Sequence, residues 1–174
     1  MKPWSLIQPS YIDPGYAIVG YGVIEFKSNR FSVVDYGAIT TNAGTPFERR
    51  LELIYDDLNL LMGKFHPEAM SIEKLFYNTN AKTVIDVAQA RGVTVLAAKK
   101  NNIPIFEYTP LQVKQSVVGY GRAEKKQVQE MTRIILKLAK IPKPDDTADA
   151  LAMAICHAHA SGSLMGKLNS MGIR

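Results

Sequence analysis

Two runs rich in Val, Ile, Tyr and Phe, residues 17–26 and 31–40, are separated only by Lys27-Ser28-Asn29-Arg30. Branched and aromatic residues on both sides of a short polar break spell a β-hairpin. A strand ending near Asp13 precedes it, so the chain opens with three consecutive strands. The period then changes. Leu51, Ile54, Tyr55, Leu58, Leu61 and Met62 recur at helical spacing, behind Thr45 as a helix N-cap and Pro46 at the first helical position.

From there strands and helices alternate. A strand is expected over 69–75, and an apolar helix over 80–100 with Gly92 as its soft spot. A short strand over 103–108 follows, and Thr109-Pro110 opens another helix. Residues 123–140 read as a helix with a basic outer face, stopped by Pro142 and Pro144. Asp145 or Asp146 starts the last helix, through residue 160. The order βββ-α-β-α-β-α-α-α predicts an α/β protein with a mixed five-stranded sheet flanked by helices. That is the element order of an RNase-H-like fold.

The chain has 174 residues, which suits one domain, 1–174, with a sizeable core. Hydrophobic content of 47% and charged content of 21% are those of a soluble globular protein. No apolar run is long enough to span a bilayer, and Met1-Lys2-Pro3-Trp4-Ser5 lacks the apolar stretch of a secretory signal. The single cysteine, Cys156, lies in an apolar helical segment and reads as a buried thiol. Together these predict a cytoplasmic protein without membrane association. The formal charge of +5 is concentrated: residues 111–140 hold Lys114, Arg122, Lys125, Lys126, Arg133, Lys137 and Lys140 against only Glu124 and Glu130. Such a basic segment beside an acidic cluster suits a polyanion that bridges both, and a solvated helix face is the plainer alternative.

The acidic cluster comprises Asp13 in Tyr-Ile-Asp-Pro-Gly, Glu73 in Met-Ser-Ile-Glu-Lys-Leu-Phe, and Asp146 and Asp149 in Asp-Asp-Thr-Ala-Asp-Ala-Leu. Isolated carboxylates on apolar strands are costly to bury unless a cation gathers them. Mg²⁺, which takes oxygen ligands and retains waters, is such a cation. Asp146 and Asp149 share one helix face and lie near its positive end. Two metal ions about 3.5–4 Å apart can serve both sides of an in-line phosphodiester displacement, and holding them takes several carboxylates. Each element alone has a plain reading: Asp-Pro-Gly as a turn, Asp-Xaa-Xaa-Asp as a helix cap. Their combination and order point to metal-dependent phosphate chemistry.

The sequence also resembles the RuvC family of Holliday-junction resolvases. The match runs through Ile-Asp-Pro-Gly (12–15), Gly-Tyr-Gly-Val-Ile (20–24), Ile-Glu-Lys-Leu-Phe (72–76) and Ala-Gln-Ala-Arg-Gly-Val (88–93). It continues through Gln-Val-Lys-Gln-Ser-Val-Val-Gly (112–119), Ala-Glu-Lys (123–125) and Ala-Asp-Ala-Leu-Ala-Met-Ala-Ile (148–155). The resemblance implies a homodimeric, Mg²⁺-dependent endonuclease that cuts four-way DNA junctions by paired symmetric nicks in recombination and repair. Mn²⁺ would be a possible substitute metal, and a RuvA–RuvB-type branch-migration complex the implied partner. Asp13, Glu73, Asp146 and Asp149 match the family's four acidic active-site positions; Asp145 matches a less constrained one. Lys114 and Lys125 match lysines that contact DNA near the site, and Phe76 an aromatic that stacks at the junction centre. Arg122 is placed to reinforce phosphate binding, though Gly119 and Gly121 beside it equally suit a mobile loop. The 80–100 helix is the implied dimer interface.

His157 and His159, two residues apart, point to different sides of a helix and do not read as a metal pair; His66, before Pro67, reads as structural. The lead-in Trp4–Tyr11 departs from the family. Pro9 lacks the N–H a central strand needs, so Asp13 is the acid held least firmly, or its strand begins only at Tyr11. Three alternatives therefore stay open: another RNase-H-like nuclease, a junction-binding protein that does not cut, and an actin-like phosphotransferase, for which the chain is short.

Overall fold

In a computed structural model the chain is described over residues 3–7, 16–74 and 81–170, with side chains described over 18–74 and 85–162. The elements are β1 (Pro3–Ile7), β2 (Tyr16–Lys27), β3 (Arg30–Asn42), α1 (Phe47–Phe65), β4 (Ala69–Glu73), α2 (Ala81–Lys100), β5 (Ile105–Tyr108), α3 (Pro110–Val118), α4 (Lys125–Ile135) and α5 (Asp145–Ser170). The strands form one sheet in the order β3-β2-β1-β4-β5. β1, β2 and β3 pair antiparallel, whereas β1 with β4 and β4 with β5 are parallel.

The hairpin closes through Ser28 and Asn29, both with positive φ, between paired Lys27 and Arg30. Two left-handed residues match the right-handed twist of the flanking strands, which is why so short a connection suffices. Side chains then alternate between two cores. Val19, Val23, Ile39, Met70 and Ile72 face α1 and α2, where Ile54, Leu58 and Met62 meet Ala90, Ala97 and Ala98. On the other face Ile24 meets α5, itself covered by α3 and α4 through Val113, Val117 and Val128. α5 is buried on every side from Ala150 to Cys156, so it needs no polar face there.

α5 lies close to the sheet because the residues beneath it are small. A Cβ on Gly20 would stand 2.2 Å from the main-chain oxygen of Asp146, and one on Gly22 would stand 2.7 Å from Leu151 Cδ2. These two glycines are close-approach residues. They set the height at which the start of α5 meets the sheet.

Several boundaries differ from the sequence reading. Pro46, not Thr45, is the N-cap of α1, with extended ψ and no side-chain cap. Thr109 does cap α3 through a reciprocal capping box with Gln112, and Pro110 opens that helix. α4 ends at Ile135, well short of residue 140. Leu136 is buried and Leu138 packs on the same core, and Lys137 takes a left-handed φ to place them. Arg133 secures the turn by donating to the Leu138 carbonyl at 3.1 Å. α5 continues to Ser170, past residue 160. The first described strand is Pro3–Ile7, central between β2 and β4, and the expected strand ending near Asp13 falls on residues 8–15, outside the described ones. Asp13 itself lies outside the described residues.

Candidate active site

Three elements converge where β4 ends. Ser71 and Glu73 face α5, opposite in direction to Met70 and Ile72. Capped α3 brings Lys114 alongside, and the start of α4 brings Lys125. Glu73, Lys114, Lys125 and Asp149 line one open cleft of about 210 Å³, together with Pro110, Val113, Val128, Ala152 and Met153. That space is too small to engulf a typical small-molecule cofactor and large enough to seat a phosphodiester against charged groups.

Lys125 anchors the acids. Its Nζ is 3.1 Å from Asp149 Oδ2 and 3.5 Å from Asp145 Oδ2. Burial pulls the Lys125 ammonium down, but the charges of Asp149 and Asp145 outweigh it and raise its pKa overall. Asp145 is held below the usual carboxylate range, chiefly by its bond from Lys143. It is a partly exposed ion-pair partner that shares Lys125 with Asp149.

Glu73, Asp146 and Asp149 behave oppositely. Burial raises all three above the ordinary carboxylate range. The Asp149 charge raises Glu73 further, while Arg91 and Lys125 oppose it. For Asp149, Lys125 opposes burial and the charges of Asp146 and Asp145 add to it. Mutually repelling, partly desolvated carboxylates at a helix start are a donor set that a hard divalent cation would relieve. Among the described residues no group of three His, Cys, Asp or Glu is close enough to hold a metal by itself. The residues present fit an oxygen-ligated ion in charge and chemistry, with Asp13 outside the described set.

Asp146 does not line the cleft; it sits one turn before Asp149, with its backbone pressed onto Gly20. Phe76 lies outside the described residues. Arg122 is exposed just before α4, off the cleft lining. Its loop is well packed: Gly119 ends α3 in a left-handed conformation, a Cβ on Gly121 would collide with Leu111, and Ala123 is buried. Exposed Tyr120 rides on the same loop.

The histidines have structural partners. His157 Nδ1 is 2.8 Å from the Tyr108 hydroxyl and its ring lies over Phe106, while burial lowers its pKa. His159 meets Ser116 at 3.1 Å and the rings of Phe26 and Phe31. His66 is the left-handed C-cap of α1. Cys156 is buried, and burial pushes its thiol up to about 11. One residue that sequence reasoning passed over is Arg91, which reaches from α2 to the end of β4.

Among the described residues no helix is long and apolar enough to cross a membrane. The family model for crossover junction endodeoxyribonuclease RuvC matches residues 11–157, which leaves the lead-in before Tyr11 outside the match. A crossover junction endodeoxyribonuclease RuvC of Ruminiclostridium cellulolyticum is 62% identical over 157 residues, covering 89% of this chain and 95% of that one. The corresponding protein of Clostridioides difficile is 56% identical over 161 residues, covering 92% and 95%. Among solved structures, T. thermophilus RuvC in complex with a Holliday junction substrate superposes with a TM-score of 0.82 at 26% identity, covering 94% of this chain and 96% of that one. The RNase-H-like core, the cleft that Glu73 and Asp149 share at the end of β4 and these matches agree: the chain belongs to the RuvC family of crossover junction endodeoxyribonucleases.

Proposed function

We infer that this protein is a metal-dependent endonuclease that resolves four-way DNA junctions by paired, symmetric nicks, in homologous recombination and repair. The observation that carries the reading is one cleft lined by Glu73, Asp149, Lys114 and Lys125, in a chain of this family. Acids that would hold cations and lysines that would meet phosphates occupy the same 210 Å³ or so.

The residues we assign as catalytic and as metal ligands are Asp13, Glu73, Asp146 and Asp149, with Mg²⁺, two ions per site, as the metal and Mn²⁺ as a substitute. When bound, the metal supplies Lewis acidity toward the scissile phosphate and its attacking water. The chain's own groups do the rest. Lys125 opposes the upward push of burial on Asp149 and stands ready to exchange that contact for a phosphate oxygen. Lys114, on the wall formed by α3, adds charge that favours the bent backbone of a junction strand. Gly20 and Gly22 hold the start of α5 against the sheet, so Asp146 and Asp149 stay at the level of Glu73. Arg122 and Phe76 complete the DNA contacts, Phe76 by stacking on an unpaired base.

Two equivalent strands call for two equivalent sites. We propose a homodimer through α2, whose outer stripe exposes Ile85 at 60% and Leu96 at 52% with open Gly92 between them. A RuvA–RuvB-type complex is the branch-migration partner we assign, and the cytoplasm is the location we propose.

One observation favours a second reading, a junction-binding protein that does not cut. The parallel pairing of β1 with β4 extends as far as Ser5 opposite Ser71, and the lead-in Trp4–Tyr11 departs from the family pattern that would carry the first acid. The two readings separate in a comparison of four-way, three-way and RNA–DNA substrates with Mg²⁺, alongside Asp146→Asn. Nicking specific to the four-way junction and lost in the variant supports the nuclease. Tight, shape-selective binding without nicks supports the second reading.

A further inference from the structure

Arg91 has no part in the reading above, and its geometry gives it one. It sits on α2, across the sheet from α5, and its side chain is only 13% exposed. Its Nη1 donates to the main-chain carbonyl of Glu73 at 2.6 Å. Its Nη2 is paired with the Glu107 carboxylate on β5. The N–H of the same peptide group, that of Lys74, donates to the Tyr108 carbonyl at 2.8 Å. The peptide joining Glu73 to Lys74 is thus held at its oxygen by α2 and at its nitrogen by β5. β4 ends there, so these two bonds replace the support that a longer strand would supply. Hydrogen bonds with a charged donor are about twice as strong as neutral ones, and only a guanidinium offers two donors in a fixed fork.

We propose that Arg91 is a positioning residue: by holding the Glu73–Lys74 peptide against Glu107, it sets the direction in which the Glu73 carboxylate enters the cleft it shares with Asp149. The proposal rests on the nuclease reading of that cleft. A plain fastening of α2 to the sheet is the competing role, and the two differ in what metal binding does. Removing a cation near the acids strengthens metal binding if charge alone matters. Releasing the Glu73 peptide weakens it.

The test compares Arg91→Ala, Arg91→Lys and Glu107→Gln with the wild-type chain, each held well below its own Tm. Three quantities are read: Mn²⁺ affinity without DNA, four-way junction affinity in EDTA, and single-turnover nicking. In Arg91→Ala, Mn²⁺ binding should weaken by about tenfold and nicking slow by about 100-fold, the scale set by a misplacement of about 1 Å. Junction affinity should stay within about threefold, because Arg91 is not among the phosphate-binding groups. Arg91→Lys, which keeps the charge and one donor, should recover part of both losses, and Glu107→Gln should fall between it and wild type. Unchanged or tighter Mn²⁺ binding in Arg91→Ala overturns the proposal, as does a loss that Arg91→Lys leaves unrepaired. A wild-type chain that nicks no substrate refutes the nuclease reading instead, and the Mn²⁺ comparison still decides the role of Arg91.

Discussion

Gly20→Ala is the smallest change that should separate the acids from one another. The added methyl would stand 2.2 Å from the Asp146 oxygen, 2.4 Å from its carbonyl carbon and 2.9 Å from its Cβ. Ordinary contact begins near 3.4 Å, so the start of α5 must lift by about 1.2 Å, and the atoms in the way are mostly backbone, with no rotamer to escape into. Asp146 moves with that backbone and Asp149 follows one turn later, while Glu73 stays on β4. A displacement of about 1 Å at reacting groups costs on the order of 100-fold in rate, and overpacking of this kind costs about 1–3 kcal/mol in stability. Gly22→Ala is the milder comparison: its methyl meets Leu151 at Cδ2 (2.7 Å) and Cγ (2.9 Å), with the nearest backbone atom, Leu151 N, at 3.2 Å. Single-turnover nicking of a four-way junction and thermal melting of both variants make the comparison. Gly20→Ala should lose about two orders of magnitude in rate while Gly22→Ala stays within about tenfold. A Gly20→Ala enzyme as fast as wild type would refute the claim that this contact sets the height of the acids.

Other consequences follow from the charges and the core. Glu73 has a raised pKa in the folded chain, so without metal its neutral form favours folding, and that contribution is lost as pH rises through the folded pKa. Glu73→Gln should therefore melt higher than wild type at pH 8 and not at pH 4, and Mg²⁺ should narrow the gap by stabilising the wild type alone. Lys125 lowers the Asp149 pKa, so Lys125→Ala should move the acid limb of the nicking pH profile upward. The same substitution should flatten the salt dependence of junction binding by about one phosphate contact. Leu58 is fully buried between α1 and the sheet, on the face away from the cleft. Leu58→Ala should cost about 2–5 kcal/mol in denaturant melts while leaving the rate of the remaining folded enzyme intact.

The element order was legible because the apolar period changes from two to 3.6 after the hairpin, and because Thr109-Pro110 is a strong local start signal. Cys156 is buried as its apolar helical segment implied, and His157 and His159 turn to different partners, Tyr108 and Ser116, as their spacing implied. Local pattern failed where tertiary packing decides. Lys137 leaves the helical region so that Leu136 and Leu138 can enter the core, a demand no helix propensity records. The grip of Arg91 on Glu73 spans 18 residues of chain and two elements, and the sequence block 88–93 signalled only resemblance. The sheet's described first strand, Pro3–Ile7, lies ahead of Pro9, which the sequence marked as unsuited to a central strand, and residues 8–15 lie outside the described ones. Asp13 and Phe76 lie outside the described residues, so their roles rest on the family pattern.

Labelling each of the four strands of a mobile junction in turn, and mapping the products formed with Mg²⁺ at nucleotide resolution, bears on the whole reading at once. A resolvase produces two nicks at symmetry-related positions on opposing strands, with ends that a ligase seals, and Asp146→Asn removes both. Junction binding with no nick on any strand, in Mg²⁺ or Mn²⁺, would contradict it and leave the chain as a binder whose acids no longer act together.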